Sequence, residues 1–463
     1  MSRIVGEFCP LAKQAPPGSI RAVTRIVSKF GGSSVASAEQ LKKVRAIIQA
    51  DSRRRVVVVS APGKRHSAEA KVTDLLYLCH RLAAIGQDFS SPFSSVRERF
   101  VEIQRDLALG QGILAEVDAL EVSLRSECTP DFVASRGEYL LGRLAAEFLG
   151  AQFIEPAECV RISPNGSVHP ETYELLGERL QDLDALYVIP GFYGSDLAGH
   201  IKTFSRGGSD ISGSIAARAI HAELYENWTD VSGLLMADPR VIENPKPMVE
   251  VTYRELRELS YMGASVLHDE ATLPVREVNI PIRIMNTNQP SHPGTRISEH
   301  LSTEVEKSTE IAGIAGKKGF SMIALDKSLM NKEVGFAYRL LGIFERHGLS
   351  VEHCPSSIDS INVILDSAIL GEKRDSVMDE IKRSLQPDKL TYEPELALIA
   401  VVGEGMSRTV GIAAKVFVAL RDANVNIRVI NQGASELNII VGVVPDDFER
   451  AQRALYAAFV PSA

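Results

Sequence analysis

Cysteine is scarce in this chain. Five thiols, Cys9, Cys79, Cys128, Cys159 and Cys354, stand far apart among 463 residues. Their odd number and the lack of any C-x-x-C pair exclude a disulfide framework and a cysteine zinc site, and suit the reduced thiols of a cytoplasmic protein. No apolar run approaches the roughly 20 residues of a membrane span, so no membrane partner is expected. Dense basic runs are limited to Arg53-Arg54-Arg55 and Lys64-Arg65, and the net charge is −8. With no basic stripe, no nucleic-acid partner is expected. A G-x-x-x-x-G-K-[ST] loop is missing, which excludes a Walker P-loop, and the H-R-D catalytic loop of protein kinases is missing too. The first 24 residues carry Pro16, Pro17 and Gly18 without the apolar core of a secretory signal, and read as a flexible tail.

What is present is ordinary globular composition, 45% hydrophobic and 24% charged, in a chain long enough for two to four domains. The first 300 residues alternate apolar strands, at 56–59, 185–189, 224–228 and 282–284, with helical patterns such as 72–84 and 139–149. That alternation predicts an α/β sandwich with a mainly parallel sheet. Ligands in such sheets gather beyond the carboxyl ends of the strands. The turns at Lys29, Pro62, Pro190 and Asp230 all sit at strand exits, which predicts one shared cleft.

Two glycine-rich charged turns stand out. Lys29-Phe30-Gly31-Gly32-Ser33-Ser34-Val35 follows a strand and precedes a helix start, where Ser37 and Gln40 read as a capping box. Glycines admit close backbone approach, successive N–H groups cradle phosphate oxygens, and Lys29 adds positive charge. Ser205-Arg206-Gly207-Gly208-Ser209-Asp210 opens a helix rich in small residues. There Ser209 or Asp210 reads either as a helix cap or as a site residue, and Arg206 suits bidentate carboxylate or phosphate recognition. Glu138, in Ser135-Arg136-Gly137-Glu138, reads either as part of a capping box or as a carboxylate for a substrate ammonium. Thr73, at the start of the expected 72–84 helix, offers a polar contact; Thr229 and Asp230 end a strand and suit ribose or adenine, and Arg240 follows in a turn from which it can reach phosphates.

The C-terminal part repeats itself at an offset of 76 residues: Val334-Gly335-Phe336-Ala337 matches Val410-Gly411-Ile412-Ala413, Met330 matches Met406, and Ile361-Asn362-Val363 matches Leu437-Asn438-Ile439. Each copy reads strand, loop, amphipathic helix, strand, strand, helix, the ferredoxin-like βαββαβ pattern. Paired units of this type build ligand grooves.

Taken together, the ordered stretches KFGGSSV (29–35), VVVVSAPGK (56–64), KVTDLL (71–76), SRGEYL (135–140), PGFYG (190–194), TFSRGGSD (203–210), NWTDVSG (227–233), MADPR (236–240), YMGASVLH (261–268) and NQGASELNIIVGV (431–443) resemble aspartate kinases of the amino-acid kinase superfamily, with tandem ACT domains. The resemblance implies a tail at 1–24, a catalytic amino-acid kinase domain at 25–297, a linker, a strand shared with the second unit and a first ACT domain at 298–390, and a second ACT domain at 391–463. It implies ATP- and Mg2+-dependent phosphorylation of the L-aspartate β-carboxylate, with no dedicated protein ligands for the metal. By motif, Lys29 and Asp210 are catalytic, and Thr73, Glu138, Arg206 and Ser209 bind aspartate. Lys29, Gly31, Gly32, Ser33, Thr229, Asp230, Arg240, Ser265 and Val266 bind ATP. An effector groove for lysine or threonine would use Met330, Gly335, Ala337, Ser350, Val351, Glu352, Ser356 and Ser357, with Asn431 and Gln432 opposite. A homo-oligomer, dimer or tetramer, is implied through the ACT domains. Two positions depart from the family pattern: Ser265 stands in a segment where many relatives carry lysine, and Leu235 where others carry tyrosine. A kinase for another acidic amino acid, such as glutamate, and an amino-acid sensor with a degenerate kinase domain are the competing readings.

Overall fold

The computed structural model describes residues 24–460 apart from 111, 127, 206, 265, 266 and 268, and apart from the side chains of 269, 307 and 308. Residues 1–23 of the expected tail, and the expected site residues Arg206, Ser265 and Val266, therefore lie outside the described residues.

The N-terminal half is built on strands β1 (Ile26–Phe30), β2 (Arg54–Val59), β3 (Gln152–Phe153), β4 (Tyr187–Pro190), a small hairpin of β5 (Tyr193–Ser195) and β6 (Ile201–Thr203), then β7 (Leu224–Thr229), β8 (Glu250–Thr252), β9 (Ile282–Asn286) and β10 (Thr295–Ser298). Apart from the hairpin they form one sheet, in the order β3-β4-β2-β1-β7-β9-β10-β8. Pairing is parallel from β3 to β9, and β10 then runs antiparallel to β9 and carries β8 beside it. Val56 to Val59 are all fully buried, as expected of a parallel strand covered on both faces.

Alternate residues of each strand enter opposite layers. Phe30, Val57, Val59 and Trp228 pack under α1 (Ala38–Ala50), α2 (Val72–Ala84), α3 (Ser90–Asp106), α4 (Gly112–Leu124) and α5 (Pro130–Leu149). On the other face, Val27, Val56, Val58 and Tyr225 pack with residues from the short α6 (Pro156–Cys159), α7 (Glu171–Arg179), α8 (Gly208–Ala219), α9 (Tyr253–Tyr261) and α10 (Asp269–Arg276). This is the predicted α/β sandwich. Helix α5 shows why the chain is helical where it is. Thr129 caps it by accepting from the Phe132 amide, Pro130 occupies the first turn, and Gly150 ends it at φ 65°.

A short helix, α11 (Thr303–Ser308), leads to the second sheet: β11 (Gly313–Asp326), β12 (Ser360–Asp366), β13 (Lys389–Val402), β14 (Val429–Asn431) and β15 (Asn438–Val443), in the order β12-β11-β13-β15-β14. The 76-residue offset is visible in the geometry, since β11 and β13 are both 14 residues long and pair along their length. The first half of β11 adds to the β13–β15 side, and its second half pairs with β12. Helices α12 (Phe336–Arg346), α13 (Ser367–Leu370) and α14 (Arg374–Leu385) belong to the first copy. The second copy carries α15 (Ile412–Asp422) and α16 (Phe448–Phe459), and each copy has its own apolar core. One expectation fails. In the first copy the strand equivalent to β14 is reduced to the bridges His353↔Ile364 and Ser356↔Ile361. Pro355, lacking an N–H, interrupts that segment and contributes only its carbonyl, to the Asn362 amide.

The two halves are not independent bodies. Leu396, Leu398, Ala400 and Val402 of β13 share one apolar cluster with Leu256 and Leu259 of α9 and with the first sheet. Among the described residues no helix is long and apolar enough to cross a membrane.

Beneath the sheet centre, Glu226 is 3% exposed and accepts two hydrogen bonds from Arg54, at 2.8 and 2.9 Å, and one each from Ser28 and the Trp228 indole, both at 2.9 Å. Breaking a buried pair costs more than the pair itself contributes, because one charge is left unpaired. Glu226→Ala is expected to lower the unfolding free energy by about 3–5 kcal/mol in urea titrations, and a loss below ~1 kcal/mol would contradict this account.

Candidate active site

The ends of β4, β2, β1 and β7 lie side by side, so the loops after them meet along one edge. Lys29, next to last in β1, stands opposite Asn227 of β7. Its side chain is nearly enclosed, and Nζ lies 2.5 Å from Asp210 Oδ1 on the first turn of α8. Asn227 completes a triangle, with its Nδ2 donating to Asp210 Oδ1 at 3.0 Å and its Oδ1 accepting from Lys29 Nζ at 3.5 Å. The cap readings of Ser209 and Asp210 are overturned. Helix α8 starts ahead of both, with Gly207 at φ 58° in the cap position and no side-chain cap. Asp210 turns instead to Lys29, and the Ser209 hydroxyl accepts from Ser60 at 2.6 Å.

The first glycine turn folds against the loop after β2. Gly63 N–H donates to Gly32 O at 2.9 Å, and a Cβ on Gly63 would lie 2.5 Å from the Gly32 carbonyl carbon. Only glycine allows that approach. The Gly31 amide donates to Trp228 O at 2.9 Å, so it anchors the loop to β7. Residues Gly32–Val35 form a 3-10 turn that bears Ser33, and α1 begins at Ala38. The expected capping box is one-sided: Ser37 accepts from the Gln40 amide at 3.4 Å, but the Gln40 side chain donates to Asn288. An exposed asparagine from beyond β9 outcompetes the local partner.

Glu138 corrects the other cap reading. Helix α5 begins at Pro130, so residues 135–138 lie in its interior. Glu138 is 5% exposed, and its Oε2 has no hydrogen-bond partner. Burial pushes its carboxyl up to about 8, against the pull of the Ala61 amide and of Arg136. A buried carboxyl with an unpartnered oxygen, beside the Ala61 loop, has room for one further hydrogen-bonding or charged partner. Thr73 is half-buried in the first turn of α2, whose Val72 lies against Gly137.

On the far side of β7, the Thr229 hydroxyl donates to Asp230 at 3.1 Å. Arg240 is 84% exposed and paired with Asp238 at 2.6 Å, so it stands at a rim. Between this loop, α9 and β11 lies a cavity of about 310 Å³, lined by Leu235, Ala237, Arg240, Ala264, Ile314 and Gly316 among others. The β11 wall was not legible in the sequence, because nothing local to residues 314–316 signals a cavity more than 70 positions away.

The chain can now be set beside known proteins. The model of the amino acid kinase family matches residues 24–286, and an ACT domain model matches residues 399–459. Aspartokinase 3 of Bacillus subtilis (strain 168) is 42% identical over 94% of this chain and 98% of its own length. The chain belongs to the aspartate kinases. The crystal structure of the Clostridium acetobutylicum aspartate kinase superposes with a TM-score of 0.85 at 46% identity, covering 94% of this chain and 100% of that one. E. coli aspartokinase III, in complex with aspartate and ADP (R-state), gives 0.72 at 26%, covering 94% and 99%. The same enzyme in complex with lysine and aspartate (T-state) gives 0.69 at 27%, with the same coverage.

In this aspartate kinase, Lys29, Asp210 and Ser209 meet where the turns after β1 and β2 face the start of α8, and Glu138 touches the turn after β2 at Ala61. Among the described residues no group of three or more His, Cys, Asp or Glu side chains is placed to hold a metal ion. In the regulatory half, Ser350, Gly335, Ala337, Ser356, Ser357 and Gln432 are exposed, and Val351, Glu352 and Asn431 are half-buried. Met330 is 8% exposed and packs into the core of the first copy with Phe336 and Leu340. Asn431 meets His353 at 3.0 Å, a direct contact between the two copies.

The Glu138 carboxyl binds its proton more tightly in the folded chain than in the unfolded one. Stability attributable to it is present below pH ~4.5 and is lost as pH rises toward 8. Glu138→Gln is expected to flatten this slope and to be more stable than the parent at pH 8.5, by an amount on the order of a few kcal/mol in urea titrations at pH 5.5 and 8.5. Parallel pH profiles for the two proteins would show that Glu138 is not a strained, protonated group.

Proposed function

We propose that the chain catalyses ATP-dependent phosphorylation of the L-aspartate β-carboxylate to 4-phospho-L-aspartate, the first step toward lysine, threonine and methionine. The observation that carries this is the enclosed Lys29–Asp210–Asn227 triangle beside the orphan carboxylate of Glu138. The complex of E. coli aspartokinase III with aspartate and ADP supports both substrates.

A carboxylate is ionised at neutral pH, so the acceptor needs no general base. One of its oxygens bonds to the γ-phosphorus, the bond from that phosphorus to the β-γ bridging oxygen breaks, and ADP leaves. The difficulty is bringing anions together, so catalysis is positioning and charge stabilisation. Lys29 exchanges Asp210 for phosphate oxygens, while Asn227 keeps its ammonium on the line of transfer. Gly32 and Ser33 shape the phosphate loop and Gly31 ties it to β7. Glu138 takes the substrate ammonium, with Thr73 and Ser209 beside it, and Arg206 clamps a carboxylate. Thr229, Asp230, Arg240, Ser265 and Val266 form the nucleotide side. Magnesium, which keeps most of its water and prefers phosphate oxygens, would arrive on the nucleotide and neutralise charge there.

We further propose feedback inhibition by lysine or threonine through ACT domains at 298–390 and 391–463, following a catalytic domain at 25–297 and a tail at 1–24. The support is helix α9. Its Tyr261 hydroxyl donates to Glu352 of the expected effector segment. Its Glu258 accepts from Asn438, and its Glu255 accepts from the Glu404 amide, at 2.7 and 2.8 Å. The chain beyond α9 continues into the Ala264 wall of the cavity. An effector that takes the Glu352 carboxylate would displace Tyr261 and bias the nucleotide side. Exposed Val334 and Tyr338 on the first copy suit a homo-oligomer, dimer or tetramer, of a cytoplasmic enzyme.

Hydroxamate trapping of the acyl phosphate, with ATP, magnesium and aspartate, tests the reaction, and glutamate is the control. Aspartate is expected to give product and glutamate little; a preference for glutamate, or no product, would overturn the reading. Lys29→Ala is expected to cut turnover at least ~100-fold, about 3 kcal/mol of transition-state stabilisation, in a normally folded protein. Tyr261→Phe is expected to keep uninhibited turnover and to shift the half-inhibiting effector concentration at least ~5-fold, and an unchanged inhibition curve would remove α9 from the coupling.

A further inference from the structure

Helix α3 does not line the cleft, and its buried face is mostly apolar: Phe93, Val96, Phe100 and Ile103. In the middle of that face sits Arg99, only 5% exposed. Enclosing a guanidinium is costly unless its hydrogen bonds are met. The partners that meet them belong to the two loops of the active site. Nη1 donates to Gly63 O at 2.9 Å and to Ala36 O at 3.3 Å, and Nη2 pairs with Glu69. Ala36 is the residue that closes the Gly32–Val35 turn. Gly63 is the glycine whose amide holds Gly32 O. The phosphate-side loop and the loop after β2 are thus joined twice, by a backbone bond on one side and by one guanidinium on the other.

Glu69 sets the orientation of the fork. Burial raises its carboxyl, but the bonds from Arg65 and Arg99 outweigh this and hold it down at about 2, so it remains charged. Arg65 is tied in turn to Glu102 of α3 at 2.5 Å. The loop between β2 and α2 is therefore fastened to α3 at two points.

We propose that Arg99 is a positioning residue for phosphoryl transfer: by spanning the Ala36 and Gly63 carbonyls it fixes the distance between the two glycine loops that carry the phosphate amides and the Ala61 contact to Glu138. The proposal rests on the aspartate kinase reading above. Arg99 touches no substrate and acts through the loops. One nitrogen, Nη1, spans the two carbonyls while the other, Nη2, is held by Glu69, and a lysine has no second nitrogen with which to keep that orientation.

Parent activity is established first by hydroxamate trapping: an inactive parent overturns the functional reading and this proposal with it, whereas an active parent with unaffected variants overturns this proposal alone. In an active parent, Arg99→Ala is expected to lose at least ~10-fold in kcat at saturating substrates, since small misplacements of reacting groups cost this much or more. Added guanidinium ion is expected to restore several-fold of the loss, a recovery that a purely global loss of packing would not show. If Arg99→Ala does not fold, Arg99→Lys, which keeps the charge but not the fork, carries the same kcat measurement. Turnover of either variant near that of the parent, or a folded Arg99→Ala whose loss guanidinium leaves unchanged, overturns the proposal.

Discussion

The parallel register of β1 with β7 underlies the whole catalytic edge. It sets Lys29 opposite Asn227, and Asn227 also reaches Asp210 on the helix that follows the second glycine turn. Three polar side chains from three segments meet because two backbones pair in this alignment. In a strand, a slip of one residue would send Lys29 to the opposite face of the sheet. The buried Glu226 cluster beneath ties β1, β2 and β7 together through Ser28, Arg54 and Trp228, and so guards that register from below.

The same edge concentrates groups that the fold would be more stable without. A lysine ammonium is enclosed against an aspartate, and a glutamate is enclosed with one oxygen unmatched. Both arrangements are poor for stability and good for receiving ions. In the proposed reaction, phosphate oxygens would take Lys29 from Asp210, and a substrate ammonium would take the place of the Glu138 proton. The stiffness that keeps these groups in line comes from close backbone packing of Gly32 on Gly63 and from the Arg99 fork behind it. The binding energy of substrate then meets a site already arranged.

Regulation has a physical route because the two halves share one apolar cluster. Helix α9 packs on β13, bonds to the second copy through Glu255 and Glu258, and touches the first copy through Tyr261. It is the element on which a change in either copy would act, and its chain neighbours form the wall of the cavity beside β7. Long strands shared between the copies make the second sheet a single unit.

Much of the fold was legible locally. The 72–84 helix was read at its observed bounds, the strands at 56–59 and 224–228 within two residues, and the 76-residue repeat as two equally spaced βα units. Those features follow from periods of 2 and 3.6 and from turn chemistry, which act over a few residues. Lys29 and the glycine turns were legible for the same reason. The tertiary structure alone decided that Ser209, Asp210 and Glu138 are not caps, that Met330 belongs to a core, that the segment around Pro355 forms no full strand, that Arg99 bonds to the turns after β1 and β2, that Tyr261 meets Glu352, and that β11 walls the cavity beside α9. Each of these depends on which side chain wins a partner far away in the chain, and that outcome is set by packing, burial and the desolvation of charge, none of which a local pattern encodes.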